Sequence, residues 1–378
     1  VGKLTVGVVF GGRSAEHEVS LVSATSILKA LDPERYRVVP IGISKDGRWI
    51  VHEKALEWLK ENTVPDRFRC AVFPEPEESR LLIVEENGGN VSFRYSPAID
   101  LFFPVLHGTF GEDGTIQGLF ELMDVPYVGA GVLGSAVGMD KVVQKTLLRF
   151  AGLPVVQFLS YTQEQNPLHV KGEIKEIETK LHYPIFVKPA NLGSSVGITK
   201  AHNRGELRTG IELAFQYDRK IILEQGIEPV REIEISVLGN ESPRASLPGE
   251  IIPSREFYDY EAKYVDDGSK LLIPAPLPEE TVKRIQELAI RAYQVAGCEG
   301  MARVDFLMRG DELYVSEINT IPGFTMISMY PKLWEASGLP FSRLLDELID
   351  LAMRRHQARK RLRTSYESES DWYRRTTT

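Results

Sequence analysis

The feature that most constrains the fold is an alternation near the N-terminus. The strand-like run "LTVGVVF" is stopped by Gly11-Gly12 and followed by the amphipathic stretch "EHEVSLVSATSILKAL", which ends before Asp32-Pro33. A second strand-like run, "YRVVPIGI", comes directly after, and a later apolar run, "DLFFPVLHG", closes in Gly108. Strand, helix and strand in that order predict an open α/β sheet with ligand-contacting loops at its strand ends. Between these runs, residues 45–98 form a polar, Pro-containing excursion in which the pattern specifies no fold.

At 378 residues the chain is too long for one simple core. Its patterns divide it into an N-terminal α/β unit (1–129), a central unit (130–224), a third unit (225–360) and a tail (361–378). The central unit carries a helix over "GSAVGMDKVVQKTLLRFAG" and strands "YPIFVKP" and "SVGITK". The third carries strands "REIEISVLGN" and "GEIIP", a helix over "EETVKRIQELAIRAYQVAG", the strand pair "MARVDFLM" and "ELYVSEIN", and a last helix at "FSRLLDELIDLAMRRHQ". Without strict alternation, these two units read as α+β. The tail has little apolar content and is predicted to be disordered.

Bulk properties narrow the partners. A net charge of -8 argues against a nucleic-acid surface, and no run reaches the length of a membrane span. The start reads as a strand where a signal peptide would be apolar, and Cys70 and Cys298 fit neither a metal spacing nor a disulfide framework. These features predict a cytoplasmic protein with small-molecule partners.

The strand pair in the third unit holds the sharpest chemical signal. Residues two apart on a strand share a face, so Arg303 pairs with Asp305 and Glu317 with Asn319. If the two faces coincide, two carboxylates, an amide and a guanidinium converge. Two carboxylates about 4 Å apart repel by roughly 4 kcal/mol at an effective dielectric near 20, which predicts a cation between them. Oxygen-only ligands suit Mg²⁺ shared with phosphates. The competing reading is a surface hairpin whose acids pair with Arg303 and solvent.

Several loops can serve an anion or a polar ligand. "FVKPANLGSSVGITK" sets Lys188 at a strand end before Gly193-Ser194-Ser195, which is either an anion-binding loop or a plain connection. Lys141 starts a helix in "GMDKVVQK". "FGGRSAEHEVS" enters a helix N-terminus but lacks the third glycine of a dinucleotide fingerprint, which rules out a Rossmann cofactor there. In it, Glu16 either complements the helix dipole or faces a substrate ammonium. "VLHGTFGEDGTIQG" places His107, Glu112 and Asp113 at a sheet edge, and the long polar stretch between Pro253 and Pro274 has the character of a lid.

Taken together, "GGRSAEHEVSL", "HGTFGEDGTIQG", "GAGVLGSAVGMDK", "VKPANLGSSVG", "EFYDYEAKY", "ARVDF" and "EINTIPGFT" resemble the D-alanine-D-alanine ligases of the ATP-grasp fold, over nearly all of residues 3–355. The resemblance implies ATP, bound between the central and C-terminal units. It further implies an acyl phosphate formed from the first D-alanine and displaced by the amine of the second. Lys141, Lys188, Ser195 and Lys263 would contact ATP phosphates, Glu224 and Ile227 the adenine edge, and Glu232 the ribose. Asp305, Glu317 and Asn319 would hold two Mg²⁺ ions, or Mn²⁺. Glu16 would hold the first ammonium beside His107, and Ser194 and Tyr264 would link Glu16 to the lid. Arg303 and the Gly323 N–H would stabilise the oxyanion, and Ser328 and Met329 resemble the pocket for the second substrate. Met326 stands where small polar residues are usual. The resemblance also implies a homodimer acting in peptidoglycan precursor synthesis. D-alanine-D-lactate ligation and another ATP-grasp carboxylate-amine ligation are the alternatives.

Overall fold

The computed structural model describes residues 2–253, 270–325 and 327–366. Its first sheet runs in the order Trp49–Val51, Tyr36–Ile43, Leu4–Gly11, Leu101–Val105, with Leu4–Gly11 parallel to both neighbours. The expected open α/β sheet is therefore present. Val6, Val8, Val9 and Phe10 in the central strand are fully buried, as a parallel strand covered on both faces requires. Gly11, at φ +92°, turns the chain into helix His17–Ala30, and a Cβ there would lie 2.1 Å from the Ile43 carbonyl oxygen.

Residues 45–98 fold into helix Ala55–Glu61 and an antiparallel sheet of Phe68–Ala71, Leu82–Asn87 and Asn90–Tyr95. The last of these strands is exposed along its whole length. A strand with no buried face shows no alternation, so pattern alone could not find it.

The second sheet is antiparallel, in the order Thr199–Ala201, Ile185–Pro189, Lys220–Gln225, Phe158–Thr162. The single helix expected over residues 134–152 is instead two, Val132–Met139 and Lys141–Phe150. The break is Asp140, whose extended backbone caps the second helix while Oδ1 accepts the Val142 and Val143 N–H groups, each at 3.1 Å. Restarting the helix there places Lys141 and Lys145, one turn apart, on its buried side.

The third sheet runs Lys270–Leu272, Gly249–Ile252, Arg231–Gly239, Gly300–Arg309, Glu312–Asn319, with Arg244–Ala245 beside Arg231–Gly239. Ile233, Ile235, Val304 and Phe306 pack beneath helix Glu279–Val295. The alternate residues, Glu232, Glu234, Arg303 and Asp305, consequently take the opposite face. A bulge after Asp305 lets Val315 and Ile318 both enter the core and leaves Ser316 and Glu317 together on the polar side.

Helix Phe341–Lys360 closes the molecule against the first sheet: Leu344, Leu345 and Leu348 share a core with Val8, Phe103 and Phe324. Arg355 donates to the carbonyls of Tyr127, at 2.8 Å, and Gly129. No helix among the described residues is long and apolar enough to cross a membrane.

Candidate active site

A cleft of about 350 Å³ lies between the second and third sheets, bordered by Lys141, Lys188, Ser195, Glu232, Asp305 and Glu317. Its third-sheet wall is the polar face set by strand alternation. Antiparallel register pairs Glu234 with Asp305 and Asp305 with Glu317, and sets Arg303 opposite Asn319. Asn319 Nδ2 donates to Asp305 Oδ2 at 3.0 Å, and Arg303 grips both oxygens of Asp305 at 2.7 Å. Arg303 Nε also lies 3.0 Å from Glu234 Oε2. Although burial opposes its charge, the carboxylates of Asp305 and Glu234 hold the Arg303 pKa well above its ordinary value. The predicted convergence is real, and so is the Arg303–Asp305 pairing of the competing reading.

The donor set suits a hard cation. Asp305, Glu317 and Asn319 offer only oxygens from one sheet face, and Lys141 Nζ stands 3.6 Å from Glu317 Oε2. Among the described residues no three His, Cys, Asp or Glu side chains form a closed cage. An open oxygen site beside two lysines matches Mg²⁺ that takes its remaining ligands from phosphate.

Lys188 and Lys145 form a buried network with Glu224. Lys188 lies 2.6 Å from one oxygen of Glu224, and Lys145 lies 2.9 Å from the other. Burial pushes the Glu224 carboxyl upward, but the two ammonium charges outweigh it and bring its pKa down to about 2. The carboxylate of Glu224 is thus spent on lysines, so contact with a ligand ring would come from the backbone of strand Lys220–Gln225 and of Ile227, which line the cleft. Lys141 anchors the opposite rim, donating to the Leu192 carbonyl at 2.7 Å.

The Gly/Ser loop connects the cleft to the first sheet. Ser194 Oγ donates to Glu16 Oε1, and a Cβ on Gly193 would come within 2.6 Å of Glu16 Oε2. Ser194 and Ser195 both hold positive φ, at 49° and 59°. That conformation is costly for residues other than glycine and marks the loop as held by its surroundings. Glu16 is 7% exposed and begins the helix without capping it through its side chain.

Beside Glu16 sit His107 and Glu112. Burial lowers the His107 pKa, which Glu16 and the Ile321 carbonyl only partly offset. For Glu112, burial and then the charge of Glu16 push the pKa up to about 8. At Ser328, Oγ accepts the Thr325 N–H at 3.1 Å and so braces the turn holding Gly323. Met329 is buried against Ile251 and Leu333, its Cε beneath Gly249. Lys263, Tyr264 and Met326, and the lid expected around the first two, lie outside the described residues.

Three site residues escaped sequence reasoning: Lys145, Glu234, and Ser23, whose Oγ lies 3.0 Å from His107 Nε2. Lys145 had a signal, its one-turn spacing from Lys141, and Glu234 had another, its two-residue spacing from Glu232. Glu112 was placed at the sheet edge with His107 and Asp113, but no pattern distinguished its role from theirs. Ser23 lies mid-helix, where sequence gives a serine no distinction.

Comparisons with known proteins place the same residues in context. The family model described as D-ala D-ala ligase N-terminus matches residues 5–130, and that described as D-ala D-ala ligase C-terminus matches residues 147–350. A D-alanine--D-alanine ligase of Natranaerobius thermophilus is 52% identical over 97% of this chain and 100% of its own length. Two solved structures superpose with a TM-score of 0.81 at 38% identity. The D-alanine-D-alanine ligase from Coxiella burnetii does so over 96% of this chain and 97% of its own. The VanG D-Ala:D-Ser ligase from Enterococcus faecalis does so over 93% and 100%.

Proposed function

The chain belongs to the D-alanine-D-alanine ligase family, and from that premise we infer that it joins two D-alanines at the expense of ATP. The observation carrying the reading is the cleft itself: an oxygen-donor face at Asp305, Glu317 and Asn319 stands across from Lys141 and Lys188, with Glu16 joined to one rim through Ser194. A triphosphate needs cations on both sides and an amino acid needs an anion for its ammonium. This arrangement offers each.

In the proposed mechanism, Lys141 and Lys188 draw the phosphates into the cleft while the strand around Glu224 and Ile227 meets the adenine and Glu232 the ribose. Glu16 fixes the first D-alanine by its ammonium so that its carboxylate approaches the γ-phosphorus in line. Two Mg²⁺ ions held by Asp305, Glu317 and Asn319 would supply the charge neutralisation that lets one anion attack another. The amine of the second D-alanine then attacks the acyl phosphate carbonyl. Arg303 and the Gly323 N–H stabilise the oxyanion as the C–N bond forms, and the C–O bond to phosphate breaks. Ser328 orients the second carboxylate, Met329 packs beneath that pocket, and Lys263 with Tyr264 closes the site against water. Unit boundaries after residues 129 and 224, a homodimer and a cytoplasmic location complete the proposal.

Product analysis tests it. With ATP, Mg²⁺ and equal D-alanine, D-lactate and D-serine, D-alanyl-D-alanine is the expected dominant product at neutral pH. Dominant depsipeptide or D-alanyl-D-serine would overturn the assignment of the second substrate. The absence of phosphate release from folded protein would overturn the activity.

A further inference from the structure

The turn carrying Gly323 follows the last strand of the third sheet, yet the first unit holds it. Ile321 N–H donates to Glu112 Oε1 at 3.1 Å, the Ile321 carbonyl lies 3.0 Å from His107 Nδ1, and Phe324 N–H donates to Ser23 Oγ at 3.2 Å. Ser23 Oγ is also 3.0 Å from His107 Nε2. A carbonyl can only accept, so Nδ1 carries the imidazole hydrogen and Nε2 accepts from the Ser23 hydroxyl. The depressed pKa of His107 agrees with this neutral form. The hydrogen bonds therefore run in one direction, from Phe324 N–H through Ser23 and His107 to the Ile321 carbonyl. Glu112 fastens the same turn from the other side, since its Oε2 accepts the Gly108 N–H at 2.7 Å.

These bonds fix the residues on either side of Gly323. Ser23 is fully buried and His107 is 3% exposed, so water cannot readily replace the links. We propose that Ser23 and Glu112 are positioning residues of the ligase: with His107, they hold the backbone of residues 321–324 so that the Gly323 N–H meets the tetrahedral oxygen. The proposal rests on the reading of Gly323 as an oxyanion donor. It also explains why a helix serine and a loop glutamate from the first unit reach a turn some 200–300 positions later in the chain, at sequence separations of 301 and 209.

The test uses the full chain with the variants Ser23→Ala, Glu112→Ala and Glu112→Gln. Each is measured for kcat, for the KM of ATP, and for affinity toward a phosphinate analogue of the tetrahedral intermediate. Loss of an oxyanion donor typically costs about 10²–10³-fold in kcat, and misplacing one by an ångström about 10²-fold. Ser23→Ala and Glu112→Ala should lower kcat by roughly 10–100-fold, with phosphinate affinity falling in parallel and the KM of ATP unchanged. Glu112→Gln keeps one accepting oxygen and should fall between wild type and Glu112→Ala; it also preserves the test if either alanine variant does not fold. Unchanged kcat in folded variants, or reduced kcat with full phosphinate affinity, overturns the positioning role while leaving the ligase reading intact. A wild-type protein that neither turns over nor binds the phosphinate overturns the ligase reading and this one with it.

Discussion

Glu224→Gln is the sharpest test of the buried charge network. The substitution keeps the side chain's size while removing the carboxylate that lies against two buried ammonium groups, Lys188 at 2.6 Å and Lys145 at 2.9 Å. Breaking a buried ion pair by removing one partner costs about 3–5 kcal/mol. The carboxyl's own titration gives a similar figure: a fall from the ordinary value of 4.5 to about 2 corresponds to about 3 kcal/mol. Because the folded-state pKa is depressed, this stabilisation is fully present above the unfolded value and is lost as pH falls through the folded one. Thermal unfolding from pH 7 to pH 2 reads both effects. At pH 7 the variant should melt lower by roughly 6–12 °C, taking about 2–4 °C per kcal/mol for a domain of this size. The gap should narrow as the wild type is acidified from pH 4.5 toward pH 2. Equal melting at pH 7, or a gap independent of pH, would refute the argument that Glu224 is an ionised counter-charge.

Other perturbations reach other parts of the site. Asn319→Ala should raise the Mg²⁺ needed for half-maximal turnover by roughly 10–100-fold, the scale on which even indirect metal partners act; an unchanged requirement would contradict the sheet-face argument. Gly193→Ala places a Cβ within 2.6 Å of Glu16 Oε2 and should raise the KM of the first D-alanine more than that of ATP, as initial-rate kinetics would show. Burial and the charge of Glu16 keep the Glu112 carboxyl protonated up to about pH 8, so the turnover profile should show a limb there that Glu112→Gln lacks. Arg355→Met should cost about 3 kcal/mol or more by denaturant unfolding, since it removes charged bonds to the Tyr127 and Gly129 carbonyls, while leaving the KM of ATP in place.

Sequence made the strand faces readable because alternation is a local property. Spacing alone put Arg303 with Asp305 and Glu317 with Asn319, and the register shows that the two faces coincide. The bulge after Asp305 could not be foreseen, yet it is what reconciles Val315 and Ile318 with one core. Asp140 shows a different limit: a cap inside an apolar run is visible only when the flanking residues are seen to leave helical geometry. Ser23, and the partner of Glu112, were hidden for a third reason, because both residues bond to backbone atoms over 200 positions away. Side-chain-to-side-chain chemistry leaves a trace in residue types, and side-chain-to-backbone chemistry leaves almost none.

The shared core of the first sheet and helix Phe341–Lys360 has a mechanical consequence. Val8, Phe103, Phe324 and Leu344 form one continuous apolar body, while Ile185, Val187, Ile211 and Leu223 of the second sheet form another with its own interior. A body with its own interior can shift as a unit without exposing apolar surface, so the energy of opening the nucleotide cleft reduces to the polar links across it. Ser194 to Glu16 is one such link and Lys141 to the Leu192 carbonyl another. Amide exchange should then show the second sheet as a separately protected module, and access to the nucleotide would be governed by a few charges instead of by the packing of the whole molecule.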